Sequence, residues 1–323
     1  MHPCWQLLER HASELNSGPV LWLDPPEIHE LMKSGDQVVC LDQGVDAESP
    51  IPALSLDQKP SEKIQLIVLF YPKAKRRLDW WLQRIEEMSI DCPVWVLGEN
   101  NGGIKSLPRR TAPFLACEKV DSARHCALFQ CRFIGPMPRQ EVWHYYQVEE
   151  HSIGALPGVF SQEKLDVGTR LLLQHLPALK GSLFELGCGA GAITLSLLNR
   201  NKECKVVTSD IDLLAVQSTQ HNIEQAGFES RCSVIWSDGM SQVPRQRFDA
   251  LITNPPFHTG IKTHYAATEQ FFAQAEQWLK RGAVLWWVAN DFLDYQPLLG
   301  KSFSKVEEIA HHSGFRVFKA TRI

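Results

Sequence analysis

Short apolar runs alternate with amphipathic segments through the second half of the chain. From Lys164 onward, five runs have the length and composition of buried strands: Ser182–Leu186, Lys205–Ser209, Cys232–Trp236, Ala250–Thr253 and Ala283–Ala289. Helical patterns separate these runs at Gly191–Asn199, Leu213–Ala226 and Tyr265–Leu279. This alternation predicts an α/β fold, a doubly wound and mostly parallel sheet with helices on both faces. The tail predicts two final strands, Lys305–Ala310 and Gly314–Thr321, which would place an antiparallel strand in the sheet.

The first half has the same order of elements. The segments correspond in five pairs: Pro19–Asp24 with Ser182–Gly187, Gln37–Asp42 with Lys205–Asp210, Ile64–Pro72 with Asp249–Pro256, Arg77–Met88 with Tyr265–Leu279, and Pro93–Leu97 with Ala283–Val288. We interpret this as a tandem duplication. The predicted domains are residues 1–145 and 146–323, with the boundary near Gln147–Leu156. The alternative is that any two doubly wound halves resemble each other to this degree.

Composition narrows the class of protein. The 323 residues fit two domains, and 44% apolar with 22% charged residues is ordinary for a globular protein. The apolar runs are too short to span a bilayer, and the N-terminus lacks the apolar core of a signal peptide. Nine cysteines without a CxxC pair favour reduced thiols in the cytoplasm and no metal site. With a net charge of −4, any nucleic-acid partner must contact a local basic patch.

A glycine-rich turn, Glu185–Gly191 (ELGCGAG), follows the first strand of the second half and opens a helix. Glycines there permit a tight turn and a close approach of the backbone to a ligand. Gly187, Gly189 and Ala192 also satisfy the looser dinucleotide-binding pattern, so the turn alone does not identify the ligand.

Three acidic residues follow the next two strands. Asp210 lies 23 positions after Gly187, close to the spacing of an acid that binds ribose hydroxyls. Asp212 is expected to cap the following helix. Asp238 ends the third strand, where it could meet an adenine amine or serve only as a turn residue.

The tetrapeptide Asn254-Pro255-Pro256-Phe257 ends the fourth strand and indicates the reaction. The prolines fix the loop and would direct the Asn254 side-chain oxygen and the Pro255 carbonyl to one point. Two converging acceptors suit a planar amine with two donors, and Phe257 offers a face for a base. A dehydrogenase needs none of this. His258 could be suggested as a base, but a methylated amine can lose its proton to water.

The first half lacks this chemistry. After its first strand comes DPPEIHE, and prolines offer no N–H groups to a ligand. The segment that matches the fourth strand ends in FYPK instead of NPPF. The first domain is therefore predicted to be a degenerate, non-catalytic copy. It carries a basic cluster at the start of its helix, Lys73, Lys75, Arg76 and Arg77, which we interpret either as an RNA contact or as a solvated turn.

These motifs together resemble the class I S-adenosylmethionine-dependent methyltransferases that act on amino groups. More narrowly, four segments are similar to the small-subunit ribosomal RNA guanine-N2 methyltransferase family (RsmC): Leu156–Leu173, Asn254–His258, Val96–Asn100 and Lys119–Phe129. The resemblance implies two tandem Rossmann-like methyltransferase domains. It also implies methyl transfer to the exocyclic N2 of one guanine of 16S rRNA, of the guanine 1207 type, in the assembled 30S subunit. We expect the enzyme to act as a monomer.

The resemblance also implies roles for individual residues. The catalytic motif maps onto Asn254, Pro255, Pro256 and Phe257. The cofactor motif maps onto Gly187, Gly189, Gly191 and Asp210. The predicted site for S-adenosyl-L-methionine also includes Glu185, Asp238 and Phe160, although Phe160 could equally be a core residue. Glu185 departs from the aspartate that is common in the family.

Other methyltransferase classes and one non-enzyme class are the alternatives at this point. A large-subunit (23S) guanine-N2 methyltransferase would also carry NPPFH, whereas protein-glutamine and DNA-adenine methyltransferases usually carry Tyr after Asn-Pro-Pro. From a different class, the chain could be a non-catalytic RNA-binding assembly factor with a relic site. An intact glycine turn, Asp210 and NPPF together argue against the last.

Overall fold

The structure is a computed structural model that describes residues 1–49, 51, 53–255, 262–304 and 306–323. The chain divides into two compact units, Met1–Val142 and Trp143–Ile323, a few residues before the boundary that the sequence suggested. Within the described ranges, no helix is both long and apolar enough to cross a membrane.

The first unit is built on a six-stranded sheet. Its strands are β1 (Val20–Leu23), β2 (Gln37–Val39), β3 (Leu66–Phe70), β4 (Val94–Glu99), β5 (Leu115–Ala123) and β6 (Cys126–Phe133). The spatial order is β2-β1-β3-β4-β6-β5. The first four are parallel and β6 is antiparallel to both neighbours. Helices are α1 (Pro3–Leu8), α2 (Ala12–Leu15), α3 (Gln43–Glu48), α4 (Lys75–Met88) and α5 (Leu107–Thr111), with 3₁₀ turns at Glu9–His11, Asn100–Gly102 and Ile104–Ser106.

The second unit opens with a hairpin of β7 (His144–Val148) and β8 (His151–Ala155). A seven-stranded sheet follows. Its strands are β9 (Gly181–Leu186), β10 (Cys204–Asp210), β11 (Cys232–Trp236), β12 (Phe248–Thr253), β13 (Leu279–Asn290), β14 (Glu307–His312) and β15 (Phe315–Thr321). Helices are α6 (Val167–His175), α7 (Ala192–Arg200), α8 (Leu213–Gln225) and α9 (Lys262–Trp278), with 3₁₀ turns at Glu229–Arg231 and Gln296–Leu298.

The order of this sheet is β11-β10-β9-β12-β13-β15-β14, with β15 antiparallel to β13. Removing its edge strand β11 leaves an order equivalent to that of the first sheet, so the predicted duplication is confirmed. In the first unit the edge position is represented, among the described residues, by a single bridge between Val38 and Ala53. The predicted antiparallel strand in the tail is confirmed as well, although β14 begins later than expected, at Glu307.

Strand register corrects one detail of the predicted correspondence. Leu23 lies opposite Val39 and Leu186 lies opposite Ser209, so Val39 corresponds to Ser209. Asp42 therefore corresponds to the helix cap Asp212 and not to Asp210, as the sequence comparison had suggested. The cap roles agree, since the carboxyl of Asp42 accepts from the N–H groups at the start of α3 and that of Asp212 accepts from the start of α8.

The strands are apolar because both faces of each sheet are covered. All four residues of β1 are buried, as are all five of β3. Helix α4 begins two residues earlier than predicted, at Lys75, without a side-chain cap. Since parallel strands end at one edge of a sheet, the carboxyl ends of β9, β10 and β12 lie side by side, which positions the site described next.

Candidate active site

The glycine turn forms a backbone cradle at the end of β9. Gly187, Gly189 and Gly191 have φ values of +77°, +53° and +87°, a region that disfavours other residues. A Cβ at Gly187 would point into open space, whereas one at Gly191 would lie 3.1 Å from the Thr219 side chain. The turn is therefore open toward a ligand on one side and tightly packed on the other.

Helix α8 supports this turn from behind through a row of buried polar side chains. The Thr219 hydroxyl donates to the Gly189 carbonyl at 3.0 Å, and Asn222 Nδ2 donates to the Ala190 carbonyl at 2.8 Å. Asn222 also exchanges hydrogen bonds with the Gly154 backbone of β8. The hairpin, the helix and the cradle are thus joined by one side chain.

The Asp210 carboxylate lies directly against the cradle. One oxygen accepts from the Gly189 N–H at 2.9 Å and the other from the Asp212 N–H at 3.0 Å. Burial, followed by repulsion from Asp212, raises the pKa of Asp210 to about 6. A carboxylate has about four lone-pair sites, so the ionised group keeps acceptor capacity for hydroxyl protons beside these backbone bonds.

Glu185 lies beneath the cradle and is 1% exposed. Its carboxyl accepts a hydrogen bond from the Thr194 hydroxyl of α7. Burial raises its pKa to about 8, with Asp210 adding a smaller repulsion. A buried acid of this kind favours a nearby cation, which would stabilise its ionised form. The neighbouring Cys188 is buried too, and the pKa of its thiol is raised by burial, so it offers no reactive thiolate.

The Asn254 side chain is held through its amide nitrogen. Its Nδ2 donates to the Thr169 hydroxyl at 2.7 Å and to Asp166 Oδ2 at 3.2 Å. Its Oδ1 is buried and, within the part of the chain that the structure describes, has no hydrogen-bond partner. Asn254 lines the same crevice as Gly187 and Glu185. A buried acceptor without a partner is costly, so this position favours a ligand that brings a hydrogen-bond donor.

One continuous segment connects the two halves of this crevice. It runs from the end of β8 past Phe160, whose carbonyl lies 3.7 Å from the Cβ position of Gly189, to the start of α6 at Asp166. Phe160 is 47% exposed, so it is not a core residue. The segment therefore contacts the glycine turn with its beginning and Asn254 with its end.

Other predicted residues lie apart from this crevice. Asp238 lines a second crevice together with residues of its own loop and of α9. This loop lies beside the end of β10, because the Ser237 N–H donates to the Asp210 carbonyl at 2.9 Å. Pro255 is buried at the end of β12. Pro256, Phe257 and His258 lie outside the described residues.

The equivalent crevice of the first unit is filled with aromatic side chains. Strand register and helix caps relate Glu185 to Trp22, Asn254 to Phe70 and Thr169 to Trp5. The Trp5 ring centroid lies 5.3 Å from that of Trp22 and 4.9 Å from that of Phe70.

The turn after β1 has also changed. Asp24 retains a left-handed φ of +55° where the second unit has Gly187, but Pro25 and Pro26 follow it. Cys40, which is buried, takes the position of Asp210. The first unit thus keeps the frame of the site while its volume, turn and acid are all replaced.

The predicted basic cluster lies at the start of α4, after β3. Lys73, Lys75 and Arg76 are exposed, and we refer to these three as the α4 patch; Arg77 is half-buried. Arg110 of α5 donates to the Lys75 carbonyl at 3.0 Å and pairs with Asp79 of α4. Arg110 thus stabilises the helix end that carries the α4 patch.

Sequence reasoning missed four polar residues that shape the crevice. Thr219 and Asn222 appear in the sequence only as part of a polar helix. Asp166 and Thr169 lie inside the segment that carries the family resemblance, and the Asp-x-x-Thr pattern is a helix-cap signal. That signal could have placed the start of α6, but not its contact with Asn254.

Comparisons with known proteins identify the family of the chain. Residues 150–319 match the family model described as "Methyltransferase small domain", and residues 6–146 match "Methyltransferase small domain N-terminal". A protein of Actinobacillus pleuropneumoniae named ribosomal RNA small subunit methyltransferase C is 37% identical over 264 residues, covering 80% of this chain and 79% of that protein. The chain belongs to the ribosomal RNA small subunit methyltransferase C family. It is an S-adenosylmethionine-dependent methyltransferase, and the resemblance inferred from its motifs is confirmed.

Further relatives extend this assignment. The family member of Pseudomonas fluorescens is 35% identical over 271 residues and covers 81% of each chain. The solved structure of "T. Thermophilus 16S rRNA N2 G1207 methyltransferase (RsmC) in complex with AdoMet and Guanosine" aligns with a TM-score of 0.80 at 23% identity, covering 95% of this chain and 88% of that one. The two-unit fold is therefore that of the family over nearly the whole chain.

Proposed function

We propose that the second unit transfers a methyl group from S-adenosyl-L-methionine to the exocyclic N2 amine of one guanine of 16S rRNA. The family name supports the class of substrate. The T. thermophilus protein is a 16S rRNA N2 G1207 methyltransferase, and we propose a guanine of the same type here. The unpaired acceptor of Asn254 carries the proposal at the level of chemistry.

The residues of the crevice fit the cofactor. The cradle at Gly187 leaves open space that a Cβ would fill, and the Asp210 carboxylate keeps acceptor capacity for ribose hydroxyls. The buried Glu185 suits a cationic ligand, because a positive charge nearby offsets the cost of its ionisation. Phe160 would lie along the cradle, and Asp238 would meet the adenine from the neighbouring loop.

The target amine would be held by two acceptors. A guanine amine has two N–H donors in one plane, and Asn254 Oδ1 together with the Pro255 carbonyl can accept both. With both protons held, the nitrogen lone pair is oriented toward the reacting methyl, a gain from positioning that needs no acid. Phe257, which lies outside the described residues, would stack on the base.

The bound cofactor supplies an electrophilic methyl on its sulfonium. The amine held by Asn254 and Pro255 would form the new bond to that carbon as the bond from carbon to sulfur breaks, and its extra proton would leave to water. The chain then needs only to hold the amine and exclude competing water. None of the residues in the crevice is required as a base.

The setting of the reaction also belongs to this proposal. We place the substrate in the assembled 30S subunit, in the cytoplasm, with the enzyme acting as a monomer. The first unit, which the sequence predicts as residues 1–145, would be non-catalytic. It would dock RNA through the α4 patch, because three exposed cations attract phosphate whatever the overall charge.

The test is single-turnover methyl transfer to small subunits that lack the modification, with nucleoside mass spectrometry of the product. Asn254→Ala should slow transfer by roughly a hundredfold or more, by analogy with deleting one preorganised transition-state hydrogen bond. Its affinity for the cofactor should be unchanged, because Asn254 faces the base. Phe257→Ala should lose about 1–3 kcal/mol of base stacking, and Phe257→Tyr should retain most of it.

Three outcomes would contradict the proposal. The amine clamp is wrong if Asn254→Ala transfers methyl at the parental rate. A product other than N2-methylguanosine would exclude the assigned reaction. Methylation of 23S rRNA in preference to 16S rRNA would place the enzyme with the large-subunit methyltransferases.

A further inference from the structure

We propose that Asp166 and Thr169 are positioning residues that fix the orientation of the Asn254 amide, so that its oxygen and not its NH2 group faces the target amine. This inference rests on the proposed function and deepens it. It concerns a contact between α6 and the end of β12, which are 85 to 88 residues apart in the chain.

The chemistry of the two partners decides which end of the amide they contact. An ionised carboxylate only accepts hydrogen bonds, and Asp166 Oδ2 already accepts from the Thr169 N–H at 2.9 Å. The Thr169 hydroxyl lies 3.4 Å from the same oxygen and donates its proton there. Its lone pairs are then available to Asn254, so both partners present acceptors and both select the NH2 end.

The consequence for the reaction is a choice between two amide orientations. With NH2 bonded to α6, Oδ1 is the end of the amide left for the target amine, and it has no partner among the described residues. With the amide flipped, NH2 would face the donor protons of the target amine, and Oδ1 would face the acceptor Asp166. Both of these contacts are unfavourable, and the Thr169 hydroxyl could bond the flipped Oδ1 only by turning its proton away from Asp166, so the Asp166–Thr169 pair disfavours an orientation that cannot hold an amine.

The first unit provides an internal comparison. Its helix α1 corresponds to α6, with His2 at the cap position of Asp166 and Trp5 at that of Thr169. Phe70 stands where Asn254 would be and packs on Trp5. All three members of the polar set are therefore absent together from the copy that lacks the other site residues. If Asp166 and Thr169 served only to cap α6, a change at the Asn254 position would not need to be accompanied by a change at the Thr169 position.

The central experiment compares Thr169→Val with Thr169→Ser in single-turnover methyl transfer. Valine matches threonine in shape but removes the acceptor, and we expect a rate about 10-fold or more below the parent, with cofactor affinity unchanged. Serine restores the hydroxyl and should stay within about twofold of the parent. Asp166→Ser should also slow transfer, since serine still caps α6 but is too short to reach Asn254.

A double-mutant cycle separates positioning from a purely structural role. If Thr169 acts through Asn254, then Thr169→Val should add little to the rate loss already caused by Asn254→Ala. An independent contribution to folding would instead lower the rate by the same factor in both backgrounds. Thermal unfolding of each variant checks that the fold persists, and the Thr169 pair remains informative even if Asp166→Ser does not fold.

Failure of this inference is distinct from failure of the proposed function. If the parental enzyme makes no N2-methylguanosine, the proposed function is wrong. If the parent is active and Thr169→Val transfers methyl at the parental rate, the positioning role is wrong and the amine clamp stands. Equal losses from Thr169→Val in the parental and Asn254→Ala backgrounds would also overturn it.

Discussion

Cofactor affinity should fall as the pH is lowered through 6, because the acid assigned to the ribose is hard to ionise. Both oxygens of Asp210 accept backbone N–H groups, which favours the charged form. Burial and the nearby Asp212 outweigh this and raise the pKa from 3.8 to about 6 in the ligand-free protein. Only the ionised group can accept both hydroxyl protons, so binding selects it and lowers its pKa in the complex.

The magnitude follows from the ionised fraction. With a pKa of about 6, Asp210 is roughly 97% ionised at pH 7.5 and about 10% ionised at pH 5. The dissociation constant of S-adenosylmethionine should therefore rise about 10-fold over this range, which corresponds to about 1.4 kcal/mol. An aspartate with an ordinary pKa would stay more than about 90% ionised at pH 5, and the affinity would barely change.

Isothermal titration between pH 5 and 8 measures this directly, with thermal unfolding at each pH to verify the fold. Asp210→Asn should bind more weakly and without the step near pH 6. Asp212→Asn is the matched control, because asparagine still caps α8 while the repulsion on Asp210 is removed, and its step should lie at lower pH. A flat parental affinity, or a step near pH 6 that persists in Asp210→Asn, would refute the reasoning.

Three further predictions follow from the same structure. Burial raises the pKa of Glu185 to about 8, so its contribution to stability is present below the unfolded pKa of 4.5 and is lost as the pH rises through 8. The melting temperature of the ligand-free enzyme should therefore fall over this range, and it should fall less in Glu185→Gln. An equal fall in both proteins would show that the burial argument is wrong. Calorimetry should find one cofactor per chain, whereas two would mean that the aromatic-filled crevice also binds. Changing the α4 patch to Gln should weaken RNA binding and flatten its salt dependence. The control is the same change at three exposed lysines near the amino ends of β9 and β10, namely Lys180, Lys202 and Lys205. Equal effects of the two changes would show that the patch has no specific role in RNA binding.

Much of the fold could be predicted because each strand and helix carries its own local signal. The apolar run before the glycine turn, the turn itself and the strand ending at Asn254 are each visible within a few residues. The exact residue-by-residue correspondence between the two units was harder to predict from the sequence. Asp42 and Asp210 both follow the second strand of their unit and look equivalent in sequence, but the acid of the first unit serves a cap and its site position holds Cys40.

The support of the site could not be predicted, because its contacts are distant in sequence. Asn222 reaches Gly154 across 68 residues, and Asn254 reaches Asp166 across 88. Nothing in either local pattern indicates the partner, since a helix cap and a polar helix face are satisfied by solvent equally well. The half-exposed Phe160 illustrates the same limit: an aromatic residue after a turn suits a core or a crevice, and only the packed structure distinguishes them.

The duplicated frame shows why the site can be lost without the fold. In the second unit Glu185, Thr169 and Asn254 are polar side chains that line a crevice, and burial of one of them is costly enough to raise its pKa to about 8. In the first unit, Trp22, Trp5 and Phe70 occupy these places and bury apolar surface, which stabilises the same sheet. The sheet order does not depend on which set is present. We therefore expect these three polar side chains to reflect a requirement of the proposed reaction and not of folding, with Glu185 serving the cofactor and Thr169 and Asn254 serving the amine.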